Sequence, residues 1–179
     1  MKPLLVLLSD LWGAKKSEWW PLNTDFLGSH YEPIWLDSCT LGGINTMPYT
    51  QEHLHQQFIH GGIDRAVTNL LQQSQQWPTS RTILAFSVGG VIAWKAIQAG
   101  LKVDRLYAIS ATRLRYEEVP LLMNGQLWYG SDDAFRPQSE WLAQQQLKTE
   151  ILVGYGHDCY QDGMIAQDVA KQAIGDTML

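Results

Sequence analysis

Residues 83–94 read ILAFSVGGVIAW: an apolar run climbs to one serine, two glycines follow, and the apolar pattern resumes. A short continuous apolar run suits a strand buried on both faces, and the stretch after the glycines suits a buried helix. Ser87 then stands where strand turns into helix. So sharp a turn needs small neighbours, because the two backbones pass close together. Ala85 and Gly89 stand two residues to either side, and Gly90 lets the helix press on the sheet. The turn would lift the Ser87 hydroxyl above the sheet edge. It would also aim the N–H of Val88, at the positive end of the helix, into the same space, where it could donate to an oxyanion.

The rest of the chain repeats the alternation that begins here. Leu4–Leu8 and Pro33–Leu36 are expected as the first two strands, Thr82–Phe86 as the third, and Leu106–Ile109 as the fourth. Leu127–Tyr129, after an Asn124-Gly125 turn, is the expected fifth, and Glu150–Val153 the sixth. Helices are expected over Ser17–Leu27, Val91–Ala99, Gln138–Leu147 and Met164–Ile174. Another is marked by Ile63, Ala66, Val67, Leu70 and Leu71, which recur at helical spacing and stop at Trp77-Pro78. Residues 38–50, with Gly42-Gly43 and Pro48, read as a loop, and the following QEHLHQQFIHGG as a polar stretch. This pattern predicts a single α/β domain over residues 1–179, a three-layer sandwich around a mostly parallel sheet of about six strands. Ligands of such sheets bind beyond the carboxyl ends of the strands.

Composition narrows the function classes. The 179 residues are 45% apolar and 17% charged, and the formal net charge of −5 argues against a general nucleic-acid binder. Two cysteines, Cys39 and Cys159, make neither a disulfide framework nor a metal-ligand set. The apolar run at the N-terminus ends at Ser9-Asp10 and is too short for a secretory core. No stretch approaches the ~20 apolar residues that cross a membrane, so a cytoplasmic protein is expected. The eight tryptophans lack the interleaved Arg and Lys of a base-stacking surface and are expected in core and groove walls.

A serine hydroxyl is a weak nucleophile without a base beside it, and the base needs an orienting group. After the fifth strand stands GSDDAFRP, residues 130–137, and after the sixth GYGHD, residues 154–158. The order Ser, Asp, His, each just past a strand, resembles that of the α/β-hydrolase superfamily, whose nucleophile elbow G-x-S-x-G appears here as Ala85-Phe86-Ser87-Val88-Gly89. The resemblance runs from Leu4 to Ile174 and implies Ser87 as nucleophile, His157 as general base and acid, and Asp133 as orienter. Asp132 is the alternative acid. Asp133 fits better the family pattern of glycine, acid at the fourth position and proline four residues on, met by Gly130, Asp133 and Pro137. The family's second oxyanion donor maps to Ser9–Gly13, with the N–H of Leu11 preferred and that of Trp12 the alternative. His60-Gly61-Gly62 looks like an esterase oxyanion motif but stands at the wrong place, directly ahead of the helix leading to the elbow strand. Two departures are an alanine at the first elbow position and no room for a lid domain between residues 110 and 126.

The resemblance implies a hydrolase acting on a small ester or thioester, free or presented by a carrier, through an acyl-enzyme and without metal or organic cofactor. The alternatives are acyl transfer with the same residues, or a hydrolase-like fold that binds without turnover. A lidless site is expected to be open and shallow. Trp12, Trp19 and Phe135 are expected in its walls. Arg113 and Arg115 are expected either to pair with Glu117, Glu118 or Asp132, or to meet an anionic substrate group or carrier. His53, His55 and His60 are expected at the surface.

Overall fold

The computed structural model describes residues 2–16, 18–19 and 27–175. Six strands, β1 (Leu4–Leu8), β2 (Glu32–Leu36), β3 (Arg81–Phe86), β4 (Arg105–Ile109), β5 (Asn124–Gly130) and β6 (Lys148–Leu152), form one sheet in the order β2-β1-β3-β4-β5-β6. Every neighbouring pair is parallel. The helices are α1 (Ser38–Gly42), α2 (Gln51–Gln57), α3 (Ile63–Ser74), α4 (Val88–Gln98), α5 (Ser139–Ala143) and α6 (Gly163–Gly175). The helix expected over Ser17–Leu27 lies outside the described residues except at 18, 19 and 27.

The strands read as unbroken apolar runs because both faces of the sheet are covered. Leu4, Val6 and Leu8 of β1 point with Ile83 and Ala85 of β3 toward Ala66 and Leu70 of α3 and Ile92 and Ala93 of α4. Leu5 and Leu7 point with Leu84 and Phe86 to the other side, against Val169, Ala170 and Ala173 of α6. This is the sandwich the sequence predicts, with the sheet wholly rather than mostly parallel. Among the described residues no helix is long and apolar enough to cross a membrane.

Three local expectations are corrected. Residues 38–50 contain α1, capped by Asp37, whose carboxylate accepts from the Thr40 N–H. The polar QEHLHQQ stretch is α2: Thr50 caps it, and Leu54 and Phe58, one turn apart, bury its inner side. His60 and Gly61 form the kink between α2 and α3. Asn124-Gly125 is no turn but the start of β5. Gly125 has φ 146, and a Cβ there would sit 1.9 Å from the Leu106 carbonyl oxygen.

The strand order places the chemistry. From β1 the chain moves outward to β2, then returns past β1 to β3 and continues the other way. The loops after β1 and β3 therefore part at their carboxyl ends and leave a crevice.

Candidate active site

Ser87 ends β3 at φ 51 and ψ −117, a backbone conformation that costs a non-glycine residue on the order of 1–3 kcal/mol. The surroundings enforce it. The Ser87 N–H donates to the Ile109 carbonyl at 2.8 Å, and the Gly90 N–H closes the first turn of α4 onto the Ser87 carbonyl at 3.0 Å. Small residues are needed where expected: a Cβ on Gly89 would lie 2.5 Å from the Ser9 carbonyl oxygen, and one on Gly90 2.6 Å from Ala111 Cβ.

The structure brings together the three side chains the sequence nominates. Ser87 Oγ lies 2.9 Å from His157 Nε2, and His157 Nδ1 lies 2.7 Å from Asp133 Oδ2. Asp133 is 5% exposed and its second oxygen accepts the Phe135 N–H at 3.0 Å. Burial pushes its carboxyl up. The hydrogen bonds from His157 and Phe135, with the nearby His157 and Arg115 charges, outweigh this and hold it below the usual carboxylate range. Asp133 is thus a carboxylate at neutral pH and accepts a hydrogen bond from the His157 Nδ1–H. That leaves Nε2 as the acceptor facing the hydroxyl. Asp132 is exposed, accepts the Ser131 hydroxyl at 2.7 Å, and does not reach the imidazole.

The acid turn and the histidine loop are fastened to each other. The Ser131 N–H donates to Leu152 and the Asp132 N–H to Tyr155, both at 2.9 Å. Gly130 makes this approach possible, since a Cβ there would stand 2.1 Å from the Tyr155 carbonyl oxygen and 2.5 Å from that of Gly156. Both are backbone atoms with nowhere to swing. Gly130→Ala is expected to cost about 1–3 kcal/mol of stability and to move His157, read as a lowered urea midpoint together with a lowered kcat.

The loop after β1 is held by residues that sequence reading passed over. The Trp12 N–H donates to Asp10 Oδ1 at 2.9 Å and the Gly13 N–H to the Asp10 carbonyl at 3.2 Å. The Leu11 carbonyl accepts from Cys39 Sγ and the Trp12 carbonyl from the Tyr49 hydroxyl. Of the two amides considered for the oxyanion, that of Trp12 is therefore taken, while Leu11 N–H has no partner among the described residues. Val88 N–H, at the first position of α4, lies beyond the reach of the helix's own carbonyls. Leu11 and Val88 both lie with Ser87 among the residues that line the cleft.

Asp10 is 1% exposed, and its second carboxylate oxygen accepts the Tyr160 hydroxyl at 3.0 Å, tying the β1 loop to the segment after His157. Burial raises its pKa to about 6, against the lowering effect of the Tyr160 and Trp12 bonds. Between its unfolded value near 4 and about 6 the folded state holds a proton that the unfolded chain has lost. Stability should therefore fall as pH rises through this window, by about 3 kcal/mol for a two-unit shift. Asp10→Asn cannot ionise. The stability difference between the variant and the wild type should thus move in the variant's favour from pH 4 to pH 7, measured by urea unfolding at both.

A cavity of about 930 Å³ opens above Ser87, at the upper end of the size of small-ligand sites. It is roomier than a shallow lidless site because α2 supplies a wall: Gln51, Glu52, His55 and Phe58 all face it. Trp12, Arg113 and Phe135 line it as expected. One other expectation fails. Trp19 is not a wall but core, packed edge-on against Phe86 and Tyr160 at ring distances of 4.6 and 4.9 Å. His55 is exposed, as expected, yet it also lines the cleft, where partial desolvation, then the Arg113 and Arg115 charges, lower its pKa.

No family model matches the chain, and no curated protein does. Solved structures do match along nearly its whole length. One is a Xanthomonas campestris protein assigned to the alpha/beta superfamily of hydrolases, with 11% identity, 98% of this chain and 99% of that one covered, and a TM-score of 0.71. Another is alpha/beta hydrolase domain-containing protein 10 from mouse, with 12% identity, coverage of 100% and 92%, and a TM-score of 0.68. A third is ClbQ from the colibactin NRPS/PKS pathway, with 14% identity, coverage of 99% and 100%, and a TM-score of 0.65. The chain has the α/β-hydrolase fold. At such identities the likeness is one of architecture.

Proposed function

We propose that the protein is a serine hydrolase that cleaves a carboxylic ester or thioester, free or carrier-bound, through an acyl-enzyme. The observation that carries this reading is the continuous hydrogen-bonded chain Ser87–His157–Asp133, with links of 2.9 and 2.7 Å, opening into a cleft that Val88 and Leu11 also line. Ser87 Oγ attacks the carbonyl carbon as its proton passes to His157 Nε2. Asp133 holds the imidazole in the required tautomer and stabilises the imidazolium. The Val88 and Leu11 N–H groups take the charge that forms on the carbonyl oxygen, each typically worth ~3 kcal/mol of barrier. The imidazolium then protonates the leaving oxygen or sulfur, and the imidazole next activates water to release the acid.

The test is covalent labelling. A fluorophosphonate probe is expected to modify the protein at Ser87, located by peptide mass spectrometry, with loss of ester and thioester hydrolysis in step with labelling. A wild-type protein that stays unlabelled and inert toward 4-nitrophenyl esters and acyl thioesters of graded length would turn the reading toward a binding protein on a hydrolase scaffold.

A further inference from the structure

The loop after β4 puts two arginines at the cleft, Arg113 and Arg115, in a 3₁₀ turn over Thr112–Tyr116. None of the carboxylates expected to pair with them does so among the described residues. Glu117 pairs with Lys95 at 3.0 Å, and Asp132 accepts from Ser131. Glu118 forms no ion pair among the described residues. The two arginines then differ. Arg115 is consumed by structure: it donates to the Thr112 and Phe135 carbonyls and the Tyr116 hydroxyl, and lies over the Tyr116 and Phe135 rings. It straps the β4 loop to the acid turn.

Arg113 has no such employment. It is half-buried in the cleft wall, its guanidinium 5.1 Å from the centre of the Tyr116 ring, with no hydrogen-bond acceptor and no ion pair among the described residues. A guanidinium set over an aromatic face keeps its N–H fork free, and that fork suits two-pronged binding of a carboxylate or phosphate. A cation partly removed from water without a counter-ion is destabilising, and an arriving anion relieves that cost. His55, on the α2 wall, is disfavoured as a cation by burial and by both arginines, so at neutral pH it offers a ring N–H rather than a second charge. Of the carboxylates at the cleft, Asp10 is buried and bonded to Trp12 and Tyr160, while Glu52 and Asp158 are exposed and unpaired with Arg113.

Resting on the serine-hydrolase reading, we propose that Arg113 is an anion-binding subsite, and that the natural ester or thioester carries a carboxylate or phosphate group that this guanidinium holds while Ser87 attacks.

Two matched substrate pairs test it and tell the sources apart. The first sets the mono-4-nitrophenyl ester of adipic acid against 4-nitrophenyl hexanoate, placing the anion on the acyl side. The second sets hexanoyl-phosphopantetheine against hexanoyl-pantetheine, placing it on the leaving side. In at least one pair the wild type should favour the anionic member in kcat/KM by about tenfold. Arg113→Glu should bring that ratio to one or below, and Arg113→Gln should bring it close to one. A purely structural arginine would lower both members of a pair alike and leave the ratio standing. Ratios near one for the wild type in both pairs, or a preference that survives in both variants, overturn the subsite while the hydrolase reading stands. Should the wild type turn over none of the four substrates, the hydrolase reading fails and calorimetric titration with adipate and with inorganic phosphate decides. Binding that disappears in Arg113→Glu, with Arg113→Gln as the second variant if the first does not fold, upholds the anion site. Absent or unchanged binding overturns it.

Discussion

Replacing Ser87 by alanine is expected to lower kcat toward an ester substrate by about 10⁵-fold or more, the scale on which removal of a triad nucleophile acts in other serine hydrolases. The thermal midpoint should move little. Alanine accepts the φ 51, ψ −117 backbone no worse than serine, and the bonds that set the turn run through the Ser87 N–H and carbonyl, which the substitution keeps. The lost hydroxyl leaves Nε2 without its partner, but the His157 side chain is 42% exposed and water can replace the bond. KM should stay within a few-fold, since the cleft walls and both amides remain. What disappears is the atom proposed to form the acyl-enzyme, so fluorophosphonate labelling should vanish with turnover. A variant that keeps more than about one per cent of wild-type kcat would mean that water, not Ser87, attacks the substrate.

The elements that were legible in the sequence share a physical reason. Five apolar residues in a row at Leu4–Leu8, and four at Ile83–Phe86 before Ser87, suit a strand covered on both faces, so a parallel sheet could be read directly. The site could be read too, because a parallel sheet sends every loop that follows a strand to the same edge. What stayed hidden depends on pairings that have no sequence period. Asn124-Gly125 has the composition of a tight turn, yet the glycine is there because the β4 backbone at Leu106 leaves no space for a side chain. In α2 the polar residues outnumber the apolar ones, and the signal lay in Leu54 and Phe58 four apart behind a Thr50 cap. Arg113 and Arg115 were nearest in sequence to Glu117 and Glu118, but nearness along a loop does not set direction, and Glu117 turned to Lys95 on α4. Asp10 offered a readable clue: a carboxylate two residues past a wholly apolar strand, where the chain must either bury it with partners or give it a task.

The choice between two adjacent carboxylates is where the geometry makes its sharpest numerical demand. Asp133→Asn is expected to lower kcat by about 10⁴-fold, the loss seen for the same change in the serine-protease triad that serves as the worked case for this chemistry. The asparagine still has an oxygen to accept the Phe135 N–H, as Asp133 Oδ1 does at 3.0 Å, so the acid turn should keep its shape. Its amide nitrogen then faces His157 Nδ1 as a donor. The imidazole answers by accepting there and carrying its proton on Nε2, which can no longer take the proton of Ser87. The fault is one of tautomer, not of fold, and should appear in kcat with KM nearly unchanged. Asp132→Asn keeps an exposed oxygen that can accept the Ser131 hydroxyl and leaves the backbone N–H of residue 132 on the Tyr155 carbonyl, so its kcat should stay within about threefold of the wild type, as surface changes away from a site usually do. The reverse outcome, with Asp132→Asn inactive and Asp133→Asn near normal, would require residues 130–137 to rearrange. They would have to carry an exposed carboxylate onto the imidazole and expel one that is 5% exposed and already bonded to it.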